Sequence, residues 1–231
     1  MPRTACAVLA LVLLLIGCDA EGSPERESAS ATTTPPVRDA IANLPEPARE
    51  FLVGDPEHPF GEPGPDMPQE TAFFAALAGV WNCAVHVTEG GRRISGWPAV
   101  WAFKYSAGGH AIEHLYYQKQ ADLPPPLVPL RRDSHSVALV QYDPSTQVWR
   151  FFSVNNSAGS GIGPSTQVMT GRLDGEVLVF EPDHQDPALL RRERFHDIKS
   201  NSFVWSELES RDQGRTWTGS VSVKCNRMVG P

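Results

Sequence analysis

GVWNCAVHVT, Gly79 to Thr88, is the stretch on which the fold turns. After Gly79 the side chains alternate. Trp81, Cys83, Val85 and Val87 fall on one face, and Asn82, His86 and Thr88 on the other with Ala84 among them. A period of two marks a strand with one buried face. The same texture returns at the far end, in RTWTGSVSVKCNRM (residues 215–228). There Trp217, Gly219, Val221, Val223, Cys225 and Arg227 oppose Thr218, Ser220, Ser222, Lys224 and Asn226. Between these two ends, short runs rich in Val, Phe, Tyr and Trp are separated by turn signals such as Glu89-Gly90-Gly91, Pro144-Ser145 and Asp174-Gly175. Strands at this spacing predict an all-β, antiparallel barrel or sandwich; pairing of the first and last strands would make it a closed up-and-down barrel of about 8–10 strands. Pro98 predicts a bulge or an edge in the second strand. Upstream, ETAFFAALAG (residues 70–79) reads as a short helix with Phe73, Phe74 and Leu77 on its apolar side.

The rest of the 231-residue chain has a different character. Arg3 precedes the apolar run Ala5 to Ile16, which is shorter than the ~20 residues needed to span a bilayer. Residues 1–17 therefore read as a secretory signal. The run ends in Leu15-Ile16-Gly17-Cys18, which resembles a bacterial lipobox. That resemblance implies cleavage before Cys18, acylation of its sulfur and attachment to the lipid bilayer on the periplasmic side of the cell envelope. Asp19 behind it resembles an inner-membrane retention signal in enteric bacteria, so inner and outer membrane both stay open. An ordinary signal peptide cut nearby is the alternative. Residues 18–69 hold eleven acids against three arginines and are rich in proline, which predicts an acidic stalk, mostly disordered, with room for one or two short helices over Val37 to Val53 that Leu44-Pro45 and Glu46-Pro47 would break. Residues 70–231 hold 16 acids and 16 bases, so the formal charge of −7 is the −8 of the stalk and the +1 of Arg3, with none from the barrel. This balance argues against nucleic acid as a partner. A monomer is expected.

Cys6 leaves with the signal and Cys18 takes the lipid, leaving Cys83 and Cys225. Exported chains keep disulfides. A bond here would make the first and last strands neighbours and close the barrel; two free buried thiols are the alternative. In an antiparallel pair with Cys83 opposite Cys225, Trp81 faces Arg227, and a guanidinium over an indole is favourable by ~0.5–2 kcal/mol. Gly79-Val80-Trp81 after a short helix resembles the Gly-x-Trp of the lipocalins and the wider calycins. In those barrels a basic residue near the last strand packs across the tryptophan, a role Arg227 matches. The lipocalins' Thr-Asp-Tyr motif is missing. The chain is closer to uncharacterised lipocalin-like bacterial families, through Leu77-x-Gly79-x-Trp81, Gly108-Gly109, Tyr142-Asp143-Pro144 and Ser210-x-Asp212-x-Gly214-x-Thr216-Trp217. The resemblance runs from Phe73 to Met228.

Candidate chemistry is sparse. Residues 210–217 match the Asp box of sialidases, a structural hairpin turn in which Asp212 accepts backbone N–H bonds, Gly214 permits a positive φ and Trp217 packs beneath. His110, Glu113 and His114 have the composition of a metal site. On a strand, however, the two histidines lie ~13 Å apart, so no metal and no cofactor are expected. There is no nucleophile elbow, phosphate loop or dinucleotide fingerprint, and a non-enzymatic role is expected. A small barrel can hold one apolar ligand. Trp101, Phe103, Ile112, Phe152, Met169, Phe180, Phe195 and Trp205 would line it, with Arg150, Arg192 or Arg194 meeting a ligand's carboxylate or phosphate. The expected function is an envelope lipoprotein binding a small apolar or amphipathic molecule, such as a lipid. The alternative is an interaction module for a protein or polysaccharide around a filled core.

Overall fold

The computed structural model describes residues 37–52, 54–55, 57–89, 92–119, 122, 133–156 and 165–231. Its sheet is one closed antiparallel barrel. The strands are β1 (Gly79–Glu89), β2 (Arg92–Ser106), β3 (Ala111–Gln118), β4 (Ser134–Asp143), β5 (Val148–Asn155), β6 (Ser165–Asp174), β7 (Val177–Pro182), β8 (Leu190–His196), β9 (Ser202–Ser210) and β10 (Thr218–Val229). Each strand pairs with its chain neighbours, and β1 pairs with β10 to complete the circle. Of the barrel and the sandwich that the alternation allows, this is the closed up-and-down barrel expected from pairing the first and last strands, and it agrees with a lipocalin-like fold.

Closure is covalent as well as hydrogen-bonded. Cys83 and Cys225 form a disulfide, with Cα atoms 4.1 Å apart. The same register sets Trp81 against Arg227. The guanidinium lies 4.1 Å from the indole centroid. It donates to the carbonyls of Ala76 and Ala78 at 2.6 Å each and to that of Ser200 at 2.5 Å. Trp81 Nε1 in turn donates to the Leu77 carbonyl at 2.8 Å. Gly79 stands where this knot leaves no room. Its φ is +134°, and a Cβ there would run into the Val229 carbonyl and the Arg227 guanidinium. The glycine of the Gly-x-Trp element is thus fixed by both dihedral and space.

The short helix α3 (Ala72–Ala75), entered through a 3-10 turn at Gln69–Thr71, plugs the barrel base. Phe74 and Leu77 are fully buried. Phe74 meets Trp149 edge-on at 5.0 Å and Phe195 at 5.6 Å. From there the core runs through Phe180, Phe103, Phe203 and Trp101 in successive ring contacts. Edge-to-face pairs of this kind add about 0.5–1.5 kcal/mol each beyond area burial. The lower half of the barrel is filled.

A second apolar cluster lies outside the wall. Helices α1 (Val37–Ala42) and α2 (Glu46–Phe51), with Phe60 beyond them, cover the outward side chains Val80, Ala102 and Val229. Short helices were expected within residues 37–53, but as part of a stalk; residues 37–52 and Phe60 are instead packed against the barrel. Leu44, Ala48 and Leu52 sit four residues apart and share the buried helical face. Pro47 does not break α2. It lies in the first turn, where its missing N–H costs nothing. Lys104 fastens the helix end, donating to the Phe51 carbonyl at 2.6 Å and approaching Glu113 at 3.7 Å. Residues 1–36, which include the expected signal and Cys18, lie outside the described residues, as does most of the Pro-rich segment between β3 and β4.

Candidate functional site

The inward side chains change character along the barrel axis. Near the base they are fully buried: Trp81, Phe103, Ile112, Trp149, Leu178 and Phe195. Toward the mouth Cys83, Val85, Ala99 and Val223 stay buried on the β10–β1–β2 side, while several aromatic neighbours are only half-buried. Trp97, Tyr116, Trp205 and Val221 pack on the core from above with one side accessible. Tyr116 and Trp205 stand over Trp101, with ring centroids 5.0 and 6.1 Å from it. The result is an aromatic bowl at the mouth, floored by a packed aromatic layer.

Its polar groups are acids and amides. Glu193 projects inward from β8 and accepts from Trp205 Nε1 at 3.2 Å and Gln167 Nε2 at 3.3 Å. Burial, reinforced by the neighbouring Glu207 carboxylate, pushes Glu193 up to about 7 against the effect of these two donors. Ser220, at the β9–β10 bulge, holds Glu207 at 2.8 Å. Gln118 donates to the Tyr116 hydroxyl at 2.6 Å. At the rim Arg191 pairs with Glu209 at 3.3 Å.

One inward histidine sits in the floor. His114 is fully buried, and burial alone lowers it to about 3. Its Nδ1 accepts from Trp101 Nε1 at 3.0 Å. An indole nitrogen is only a donor, so the single imidazole proton is on Nε2. That N–H has no acceptor among the described residues. A buried donor left in this state calls for a water or a ligand oxygen.

Several expected pocket residues are elsewhere. Trp101, Phe103, Ile112 and Phe195 do face inward, but within the packed half; Trp205 reaches the bowl. Phe152 does not line the interior. It is 48% exposed on the outer wall, and Phe151 takes the inward position. None of the three expected arginines enters the barrel. Arg150 is outside, donating to Thr170 Oγ1 at 3.0 Å. Arg192 lies 4.0 Å over the Trp217 ring. Arg194 shares the outward face of β8 with Arg192, across from Ser206. The alternation in β8 requires this: once Phe195 points in, Glu193 must and the arginines cannot. Glu193, Glu207 and Gln167 were missed, although the parity of Phe195 and Trp205 already marked the two glutamates.

The hairpin at 210–217 is a closed hydrogen-bond system. Asp212 Oδ1 accepts from the Thr216 N–H at 2.8 Å and Oδ2 from its hydroxyl at 2.6 Å. Ser210 Oγ accepts from the Gly214 N–H at 2.8 Å, and Trp217 Nε1 donates to the Gly214 carbonyl at 3.0 Å. Gly214 has φ +83°. The donors around Asp212 hold it near 2. Asp143 is held near 2 in the same way, by Ser145 and Thr146. His110 is exposed at the β2–β3 turn, apart from the buried His114, and Glu113 faces outward toward Lys104. Among the described residues no three His, Cys, Asp or Glu side chains are grouped to hold a metal ion.

No protein-family model matches the chain, and no curated protein matches it. Two solved structures are similar in chain course. One is the S-type phycobiliprotein lyase CPES from Guillardia theta, 8% identical, with TM-score 0.44 over 68% of this chain and 92% of that one. The other is Rv2717c from M. tuberculosis, 15% identical, with TM-score 0.42 over 70% of this chain and 99% of that one.

Proposed function

We propose that the chain is an envelope lipoprotein, acylated on Cys18, whose barrel mouth binds a small amphipathic molecule bearing a cationic or hydrogen-bond-donating group. The observation that carries this reading is the half-buried aromatic ring of Trp97, Tyr116 and Trp205 around inward Glu193. Rings supply apolar contact, and a few convergent polar groups orient a ligand. An inward carboxylate selects against fatty acids and for donors. The test is a titration of tryptophan fluorescence with a long-chain amine and, separately, the matching fatty acid. The amine is expected to bind, more tightly as pH rises through 7, and Glu193→Gln to weaken it by about tenfold. Equal binding of both, or an unchanged affinity in Glu193→Gln, would overturn the reading.

A second reading, a barrel that docks a protein partner, is favoured by one feature of the outer wall. Val137 and Leu139 on β4 pair with Val154 and Phe152 on β5, and Phe152 pairs with Val168 on β6; all five are 40–48% exposed. Adjacent exposed apolar side chains with a polar rim mark interaction surfaces. Photo-crosslinking in the native envelope from position 152, with the neighbouring row at position 150 as control, checks it. Adducts confined to 152 support docking there; adducts at both or neither oppose it.

A further inference from the structure

Away from the mouth, the outer face of β10, β1 and β2 carries a groove of about 340 Å³. It runs along β1, where the register sets Ala84 between Pro98 and Lys224, and His86 between Gly96 and Ser222. Ala84 and Gly96 are small, and the wall is hollow at these positions. Asn82 and Asn226, opposite one another in the ladder, close one end. Arg93 folds back so that its guanidinium occupies the space a Cβ on Gly96 would fill. Neither Arg93 nor Lys224 makes an ion pair among the described residues. His86 Nδ1 is buried without a partner among the described residues. Among the described residues no carboxylate lines the groove.

We propose that this groove binds the phosphoryl group of a small ligand, with Arg93 and Lys224 supplying charge, Asn82 and Asn226 amide donors, and His86 a proton-linked donor. Arg93 and Lys224 line one groove and both act on His86, and an oxyanion among them offsets their like charge. The volume suits a small phosphorylated molecule or a lipid headgroup. Partial burial, then the Arg93 and Lys224 charges, hold His86 below its ordinary value, so it is neutral when the groove is empty. The groups facing it are Arg93 from β2 and Lys224 and Ser222 from β10. A bound phosphoryl anion offsets the positive charge of the groove and returns the proton to His86. Binding therefore weakens as pH rises through the bound-state value of His86.

The experiment follows the His86 ring resonances by NMR in the full chain. The probes are inorganic phosphate and phosphatidylglycerol bicelles, with chloride at matched ionic strength as reference. Each probe that binds is expected to raise the His86 titration midpoint. Lys224→Gln and Arg93→Gln should each weaken the response about tenfold. Asn226→Asp, which places a carboxylate in the groove and leaves both cations, should abolish it. A response to free phosphate assigns a soluble ligand, and one confined to the bicelles assigns a headgroup. No response to either, or an undiminished response in the Arg93→Gln/Lys224→Gln double variant, overturns the site. The substituted residues are exposed on the wall, so the barrel's amide spectrum serves as the control for folding.

Discussion

Glu193 links stability to pH in a direction unusual for a carboxylate. Its ordinary value is 4.5, and in the fold it titrates near 7. Below pH 4.5 both folded and unfolded chains hold the proton. Between 4.5 and 7 the folded chain keeps a proton that the unfolded chain has released, so stability falls as pH rises. Above 7 the penalty is complete. Glu193→Gln keeps an acceptor for Trp205 and removes the charge. Urea denaturation should find the variant more stable than the parent by roughly 1–3 kcal/mol at pH 8 and little changed at pH 4.5. An equal change at both values would remove the linkage. The same residue shows why a site is harder to read from sequence than a fold. In LLRRERFH the arginines catch the eye, but the orientation of each follows from Phe195 beside them. In WRFF, Trp149 with Phe151 make a wholly aromatic face and Arg150 with Phe152 a mixed one, so the alternation already marked Trp149 and Phe151 as the inward pair. Across the ladder Trp149 lies opposite Gly171, where the Phe180 ring and the Trp149 Cβ occupy the space a side chain would need.

At the scale of elements, strands and turns were readable because both signals are local. Alternation repeats every two residues, and the turns carry Asp, Gly or Pro at fixed offsets. One or two short helices over Val37 to Val53 were readable as well, but not their docking. The cue for docking is non-local: Val80, Val100 and Ala102 occupy outward positions where a solvated wall would be polar. Those positions need a cover, which the Leu44–Ala48–Leu52 face supplies. The cover contributes real stability. Ala48 is completely buried, and Ala48→Glu would force a carboxylate against Val80 and Ala102 or peel α2 from the wall. Thermal unfolding should register a loss of about 2–4 kcal/mol, with α1 and α2 amides losing hydrogen-exchange protection. The barrel strands should keep theirs. Unchanged protection in the helices would mean that they are held by something other than this face.

For the whole molecule, the two chain ends of the sheet are adjacent, and the disulfide spans 142 residues. A loop of that length allows an entropic contribution of up to ~5 kcal/mol. The double variant Cys83→Ala/Cys225→Ala should therefore lower the midpoint of guanidinium unfolding, by an amount equivalent to about 2–5 kcal/mol, while retaining the far-UV spectrum of the barrel. A change below that range would place closure in the Trp81–Arg227 knot and the ladder alone. The same span has a consequence for biosynthesis. Chain elongation proceeds at ~5–20 residues per second, so β1 emerges on the order of ten seconds before the strand that completes it. Throughout that interval its far edge lacks a partner and the Cys83 thiol is free. Any disulfide that Cys83 forms with another thiol in that interval would have to be undone before the ring can shut. Folding yield should therefore depend on thiol exchange more than on the stability of the finished barrel.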